Sequence, residues 1–144
     1  MLADKSTTEF PRYWIEHPEL FCAPAQEKDP AKRMLAVLKW FLSSLQGQQY
    51  AGRNPKDGIK KPLNAILGEV FIGDCGPPED ETKMVAEQVC HHPPVTACYL
   101  WNDQHGVRAE GYTRQVSHAD SVGTTMLARE ALTPAPRKLH SLAL

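Results

Sequence analysis

Long apolar runs, strong net charge and paired cysteines are what this sequence of 144 residues has least of. No stretch approaches the ~18 uninterrupted apolar residues of a membrane-spanning helix. The opening Met1-Leu2-Ala3-Asp4-Lys5 holds no apolar segment of the length a secretory signal needs. A formal net charge of -1 offers no general attraction to a nucleic-acid backbone, which needs a basic face. The four cysteines, at 22, 75, 90 and 98, form no C-x-x-C pair and no zinc-type spacing with histidine. The phosphate loop G-x-x-x-x-G-K-[ST], the dinucleotide fingerprint G-x-G-x-x-G and the nucleophile elbow G-x-S-x-G are all missing. These gaps point to one cytoplasmic domain with free thiols, peripheral contact with membranes at most, no nucleic-acid partner, no metal and no cofactor.

Proline is plentiful, with 12 residues, which implies many extended or turning segments. Ser6-Thr7-Thr8-Glu9 has the form of a capping box, with Thr8 a second candidate cap. With Thr8 as cap, Pro11 falls at the third helical position, where its missing N–H costs little. A short helix to about Glu16 then buries Phe10, Tyr13 and Trp14 and stops before His17-Pro18, with a second turn over Glu19 to Phe21. The clearest helix runs from Pro30 to Leu45, capped by Asp29 and closed by Gly47. Met34, Leu35, Leu38, Phe41, Leu42 and Leu45 recur at helical period, widened by Ala36, Val37 and Trp40, and such a stripe must be covered by another element.

Beyond a polar loop from Tyr50 to Ile59, where Arg53 and Lys56 join Lys60 and Lys61 in a basic cluster, the text turns strand-like. Ala65 to Ile72 reads as a strand broken by Gly68, Asp74 to Thr82 as an acidic turn, and Met84 to Val89 as a short strand. Val95 to Trp101 and Val107 to Tyr112 make an antiparallel hairpin over Asn102-Asp103-Gln104-His105-Gly106. On its first strand Val95, Ala97, Tyr99 and Trp101 share one face; Thr96, Cys98 and Leu100 share the other. From Val116 onward no structure is assigned: Met126 to Leu132 fits helix or strand, and Pro134 to Lys138 reads as linker. The chain divides into helices over 6–47, strands over 60–115 and a tail over 116–144, an α+β fold with N-terminal helices on an antiparallel sheet.

Two phrases carry chemistry: Lys60-Lys61-Pro62-Leu63-Asn64 and Val89-Cys90-His91-His92-Pro93-Pro94-Val95. Their prolines stiffen the backbone beside the polar side chains. Lys61 offers three donors, Asn64 an amide, and His91 and His92 ring N–H groups that suit a phosphorylated or anionic ligand. A metal at Cys90, His91 and His92 is disfavoured, because consecutive side chains on an extended segment point to opposite sides. Cys90 beside His91 lacks the third, orienting group that nucleophilic catalysis needs, so no catalytic residue is assigned. A histidine-dependent phosphoesterase is a remote further reading.

Glu87-Gln88-Val89-Cys90-His91-His92-Pro93-Pro94-Val95 closely resembles the EQVSHHPP fingerprint of the oxysterol-binding protein family, with Cys90 in place of serine. Lys60-Lys61-Pro62-Leu63-Asn64-Ala65-Ile66-Leu67-Gly68-Glu69 resembles that family's KKPLNPILGE signature, with Ala65 in place of proline. Tyr13 to Phe21 and Lys39-Trp40-Phe41 are similar to the short, fungal lipid-transfer members, so the likeness runs from about Thr8 to Gln115. It implies part of a lipid-binding β-barrel and no enzymatic activity. The ligands it implies are a sterol, or phosphatidylserine, and phosphatidylinositol 4-phosphate, exchanged between membranes. It assigns the head group to Lys61, Asn64, His91 and His92, supported by Pro62, Leu63, Gly68, Glu69, Glu87, Gln88, Pro93 and Pro94. By the same likeness the family's lid is nearly absent before Ser6, and its later barrel strands and distal Lys/Glu/Arg group have no visible counterpart, which implies a truncated or aberrantly spliced product, or a fragment, with an open sheet edge. The alternative is a degenerate member that binds partners, or itself, through that edge without transferring lipid.

Overall fold

The computed structural model describes residues 2–48, 50, 54, 56, 58, 61–118 and 121–129; no side chain is described at 2, 47 or from 115 on. The linker expected at Pro134 to Lys138, and Arg53 and Lys60 of the basic cluster, lie outside the described residues. The architecture is α+β, with helices on one face of an antiparallel sheet.

Strand β1 (Leu2–Ser6) leads directly into a 3-10 helix, Thr7–Trp14. Ser6, not Thr8, is the cap: its hydroxyl accepts from the Thr8 amide at 3.3 Å, and the Glu9 carboxylate accepts from the Ser6 amide at 3.0 Å. The expected short helix is present and takes the tighter 3-10 form. Pro11 can donate no hydrogen bond, and its ring crowds the preceding turn. The second turn is longer than the sequence implied, a helix α1 over Pro18–Gln26 that starts on its proline.

Helix α2 spans Pro30–Gln48. Asp29 caps it through Oδ1, accepting from the Ala31 and Lys32 amides at 2.9 and 3.0 Å, and the helix runs through Gly47 instead of ending there. Its buried side is Trp40, Ser44 and Gln48, with Val37 and Phe41 alongside. The expectation that the leucine stripe is covered fails: Met34 is 67% exposed, Leu35 59% and Leu42 56%, with Leu38 and Leu45 also exposed. Trp40 turns the other way because its indole N–H donates to the Trp14 carbonyl at 2.8 Å and its ring packs on Phe21 and Trp14. These anchors fix the rotation of the helix.

The predicted strand from Ala65 to Ile72 is a turn followed by the start of a strand. Strand β2 (Lys61–Leu63) pairs in parallel with β1, and only at Val70–Cys75 does β3 begin. Between them the chain turns at Gly68, whose φ of 80 suits glycine, and the Glu69 amide donates back to the Ile66 carbonyl at 2.9 Å. Strands β4 (Thr82–Cys90), β5 (Val95–Asn102), β6 (Val107–His118) and β7 (Ser121–Arg129) complete a sheet in the order β3-β4-β5-β6-β7, antiparallel throughout. The acidic turn is thus shorter than expected, and of the tail Ser121–Arg129 is strand. The sheet is not closed into a barrel among the described residues.

The period-2 alternation divides the sheet cleanly. Met84, Ala86, Cys98, Leu100, Val107 and Ala109 face the helices and join Trp14, Ile15, Phe21, Cys22 and Trp40 in the main core. Burial raises the thiol pKa values of Cys22 and Cys98, to about 11 and about 12, so both behave as small apolar residues. The other face carries Val85, Glu87, Val89, Val95, Ala97, Tyr99, Trp101, Glu110 and Tyr112 and is not covered by the helices.

Candidate functional site

The two signature phrases meet at one end of the sheet, and buried polar side chains join them. Gln88 points from β4 into the helix-covered side and is fully buried. Its carbonyl oxygen accepts from Thr96 Oγ1 at 2.6 Å and Thr7 Oγ1 at 3.1 Å, and its amide donates to Asn64 Oδ1 at 3.1 Å. Thr7 Oγ1 also accepts from the Ala65 amide at 3.2 Å. Gln88's backbone closes the seam, with its N–H donating to the Glu69 carbonyl at 3.0 Å and its carbonyl accepting from Gly68 at 2.9 Å. Gln88 is therefore satisfied at both ends of its side chain, the condition under which burying an amide costs little.

Asn64 extends this seam to the histidines. Its Nδ2 donates to the His91 carbonyl at 3.1 Å, and His91 Nδ1 lies 2.8 Å from the Ala65 carbonyl. The imidazole of His92 packs edge-on against that of His91, ring centroids 4.4 Å apart. His91 is half-buried and His92 exposed on the turn that ends in Pro93 and Pro94, with the His92–Pro93 peptide bond cis. Asn64, His91 and His92 are thus brought together. Lys61 is exposed on β2, level with Leu2 of β1. Pro62 beside it is buried and Leu63 exposed.

Glu69 holds the N-terminal segment. Its Oε1 accepts from Ser6 Oγ at 2.5 Å and Thr8 Oγ1 at 2.7 Å, and its Oε2 from the Ile66 amide at 3.3 Å. The Ser6 and then the Thr8 hydroxyl bonds hold its carboxyl below the usual glutamate range. Sequence reading placed Glu69 and Gln88 as supporting signature but gave no role to Ser6, Thr7 or Thr8 beyond capping. Even spacing from Met84 puts Gln88 on the core face of β4, a signal that a buried amide was waiting for partners. Which partners, 81 residues away in the case of Thr7, no local pattern tells.

On the uncovered face a groove of about 630 Å³ runs between β4, β5 and β6, lined among others by Val85, Val89, Val95, Ala97, Tyr99 and Tyr112. Val89 and Val95, which line it, stand on either side of the histidine turn in the chain, while neither His91 nor His92 is among its lining residues. Glu87 and Glu110 also border it. A largely apolar trough of this kind suits an apolar or amphiphilic ligand better than a fully polar solute.

The opposite end of the covered face has its own polar clasp. Asp80 accepts from Asn102 Nδ2 at 2.8 Å through Oδ1, and Oδ2 lies 3.1 Å from His105 Nε2. These contacts, Asn102 first, lower the Asp80 carboxyl below its ordinary value. His105 Nδ1 stands 3.2 Å from Gln26 Nε2 and ties the β5–β6 turn to α1.

Comparison with known proteins agrees with this fold. The family model described as Oxysterol-binding protein matches residues 2–133. The chain is 62% identical over 115 residues to a probable transporter, efuK, of Hormonema carpetanum, covering 80% of this chain and 16% of that protein. It is 43% identical over 142 residues to protein kes1 of Schizosaccharomyces pombe, covering 90% of this chain and 36% of the relative. In structure it matches the Osh1 ORD domain solved with ergosterol, with a TM-score of 0.67 at 22% identity over 88% of this chain and 28% of that one. The Osh3 ORD of Saccharomyces cerevisiae, solved with PI(4)P, matches with a TM-score of 0.67 at 18% identity, covering 88% of this chain and 32% of that one. The chain thus spans well under half the length of these relatives.

Proposed function

The chain belongs to the oxysterol-binding protein family, and from that premise we propose that it binds a single lipid for non-vesicular transfer between membranes. The ligands are a sterol, or phosphatidylserine, and phosphatidylinositol 4-phosphate. The observation that supports this reading is the apolar groove lined by Val89 and Val95, the residues on either side of the turn that carries the paired His91 and His92 rings. The lipid's apolar body lies along Val85, Val89, Val95, Tyr99 and Tyr112, and the phosphate reaches His91, His92 and Lys61. Asn64 acts mainly by holding the His91 backbone, leaving one amide N–H for the head group. No bond is made or broken in this process; the work is extraction, shielding and release.

Energetically the head group has to replace its hydration. Hydrogen bonds to a charged partner contribute roughly 1.5–3 kcal/mol each, so three donors hold a phosphomonoester at a mouth of this kind. The body gains about 25 cal/mol per Å² removed from water, and an unclosed sheet covers only one side of it. Transfer by these 144 residues alone is therefore expected to be weak beside that of a whole domain. The test is a liposome extraction assay with labelled sterol and phosphatidylinositol 4-phosphate, wild type against the double variant His91→Ala/His92→Ala. Phosphoinositide extraction is expected to fall with sterol extraction retained. Robust phosphoinositide transfer by the double variant would place the head group elsewhere. Native mass spectrometry on the same sample separates a lipid-carrying monomer from an empty oligomer acting through its sheet edge.

A further inference from the structure

The side of the His91 ring that is already engaged determines what the free side can do. The Ala65 carbonyl can only accept, so the 2.8 Å contact from Nδ1 requires Nδ1 to carry hydrogen. The open nitrogen is then Nε2, and in the neutral ring it is a bare acceptor. A neutral His91 cannot donate to a phosphate at all. Asn64 keeps this arrangement from relaxing, because its bonds to the His91 carbonyl and to Gln88 fix the turn relative to the Ala65 segment.

We propose that His91 makes the site selective for a phosphomonoester taken up together with one proton. This inference rests on the head-group reading above. The balance is simple. A phosphomonoester dianion and one proton from solvent give either an imidazolium donating to the dianion or a neutral ring accepting from a monoprotonated phosphate. The proton sits between Nε2 and a phosphate oxygen in both descriptions. A free phosphomonoester and a free imidazole protonate within about one pH unit of each other, near 6 and 6.5, so the proton is readily shared. A sulfate ester or a phosphodiester carries no proton to give near neutrality and is held only by the imidazolium.

With Nδ1 already carrying hydrogen, Nε2 is the one ring atom of His91 that can take up a proton. From its own turn the imidazole meets the ring of His92. Cys90 precedes it on β4. From the segment packed against it come the Ala65 carbonyl and the Asn64 amide, with Lys61 at the head of that segment. The Glu69 carboxylate is turned to Ser6, Thr8 and the Ile66 amide. From β5 and β6 the nearest paired positions are Val95 and Arg114.

Two measurements on the intact chain test this. Nitrogen-15 imidazole spectra without ligand are expected to show the Nδ1–H tautomer for His91; the Nε2–H tautomer would overturn the proposal whatever binds. Calorimetric titration with dioctanoyl phosphatidylinositol 4-phosphate, inorganic phosphate and sulfate, in buffers of different ionisation enthalpy from about pH 5.5 to about 8.5, then counts protons. About one proton is expected per phosphate compound bound above neutrality, while sulfate affinity falls by about tenfold per pH unit there. Binding of the lipid and not of free phosphate assigns the source of the phosphate to the lipid; binding of both assigns the selectivity to the phosphate group alone. Phosphate binding without proton uptake, or sulfate binding equal to phosphate at the alkaline end, would overturn the selectivity. Binding of no anion across the range would overturn the head-group reading and this proposal together, even with the expected tautomer. His91→Gln, which brings a permanent amide donor, is expected to bind phosphate and sulfate alike with no proton uptake.

Discussion

The two faces of the sheet carry similar residues and have different neighbours. Tyr99 and Leu100 are adjacent on β5, yet Leu100 is fully buried against the helices while Tyr99 faces the groove and is exposed. The covered face is closed by tryptophans and plugged at each end by a polar clasp, Gln88 with Thr7 and Asn64 at one end, Asp80 with Asn102 and His105 at the other. The uncovered face is also largely apolar but carries Glu87 and Glu110, and none of the described helices lies over it. Stability is therefore concentrated on the covered side. On the reading proposed above, lipid comes and goes on the other, because an apolar surface that also held the fold together would be hard to vacate.

The most direct way to break this comparison is to truncate one residue on each face. Leu100→Ala is expected to cost about 2–5 kcal/mol in denaturant unfolding, with the neighbouring Cys98 and Met84 left against a void. Tyr99→Ala should stay within about 0.5–1 kcal/mol in the same experiment and reduce lipid extraction instead. Equal losses of stability would mean that both faces carry the fold.

A smaller effect sharpens the distinction between the core and its clasps. Gln88→Ala strands the Thr7 and Thr96 hydroxyls and Asn64 Oδ1, three partners it now satisfies. The expected loss is about 1–3 kcal/mol, accompanied by faster amide hydrogen exchange at Ala65 and Gly68. If exchange there is unchanged while stability falls, Gln88 acts through packing alone.

The smallest effect is set by pH. Glu69 is held ionised by Ser6 and Thr8, so its folded carboxyl lies below its unfolded value. A depressed carboxyl contributes stability that is fully present above the unfolded value, about 4.3, and is lost as pH falls through the folded one. Glu69→Gln should flatten the acid side of the stability curve and release the N-terminal segment, read as earlier proteolysis near Ser6. An acid limb identical in wild type and variant would place the proton-sensitive contact elsewhere, with Asp80 the next to test.

What was legible in the sequence is what depends on near neighbours. The Asp29 cap, the alternation along β5 and the Ser6–Glu9 box are all local, and each stands in the structure. Ala65 to Ile72 is strand only from Val70 because geometry outweighs apolar composition before it: Ile66 and Leu67 are exposed at a turn held by the distant Thr7 hydroxyl and the nearby Glu69 carboxylate. The α2 stripe was misread for a related reason. Periodicity shows that a helix has an apolar side, while the choice between Trp40 and the leucines as the inner one is made by Trp14 and Phe21. Of the candidate site, the histidines and Asn64 could be named from their phrases, but not the bonds that join them.

The placement of the tryptophans makes the molecule its own optical probe. Trp14 and Trp40 lie sealed in the core, their rings edge to face at 6.3 Å, and surroundings of that kind give short-wavelength emission that shifts red only when the chain unfolds. Trp101 stands half-buried on the uncovered face, 5.6 Å from Tyr99. Its emission follows the polarity of whatever occupies that face. A blue shift on mixing with vesicles, absent from Trp101→Phe, would report lipid arrival in an unlabelled chain, while the core pair keeps a running record of whether the fold has survived.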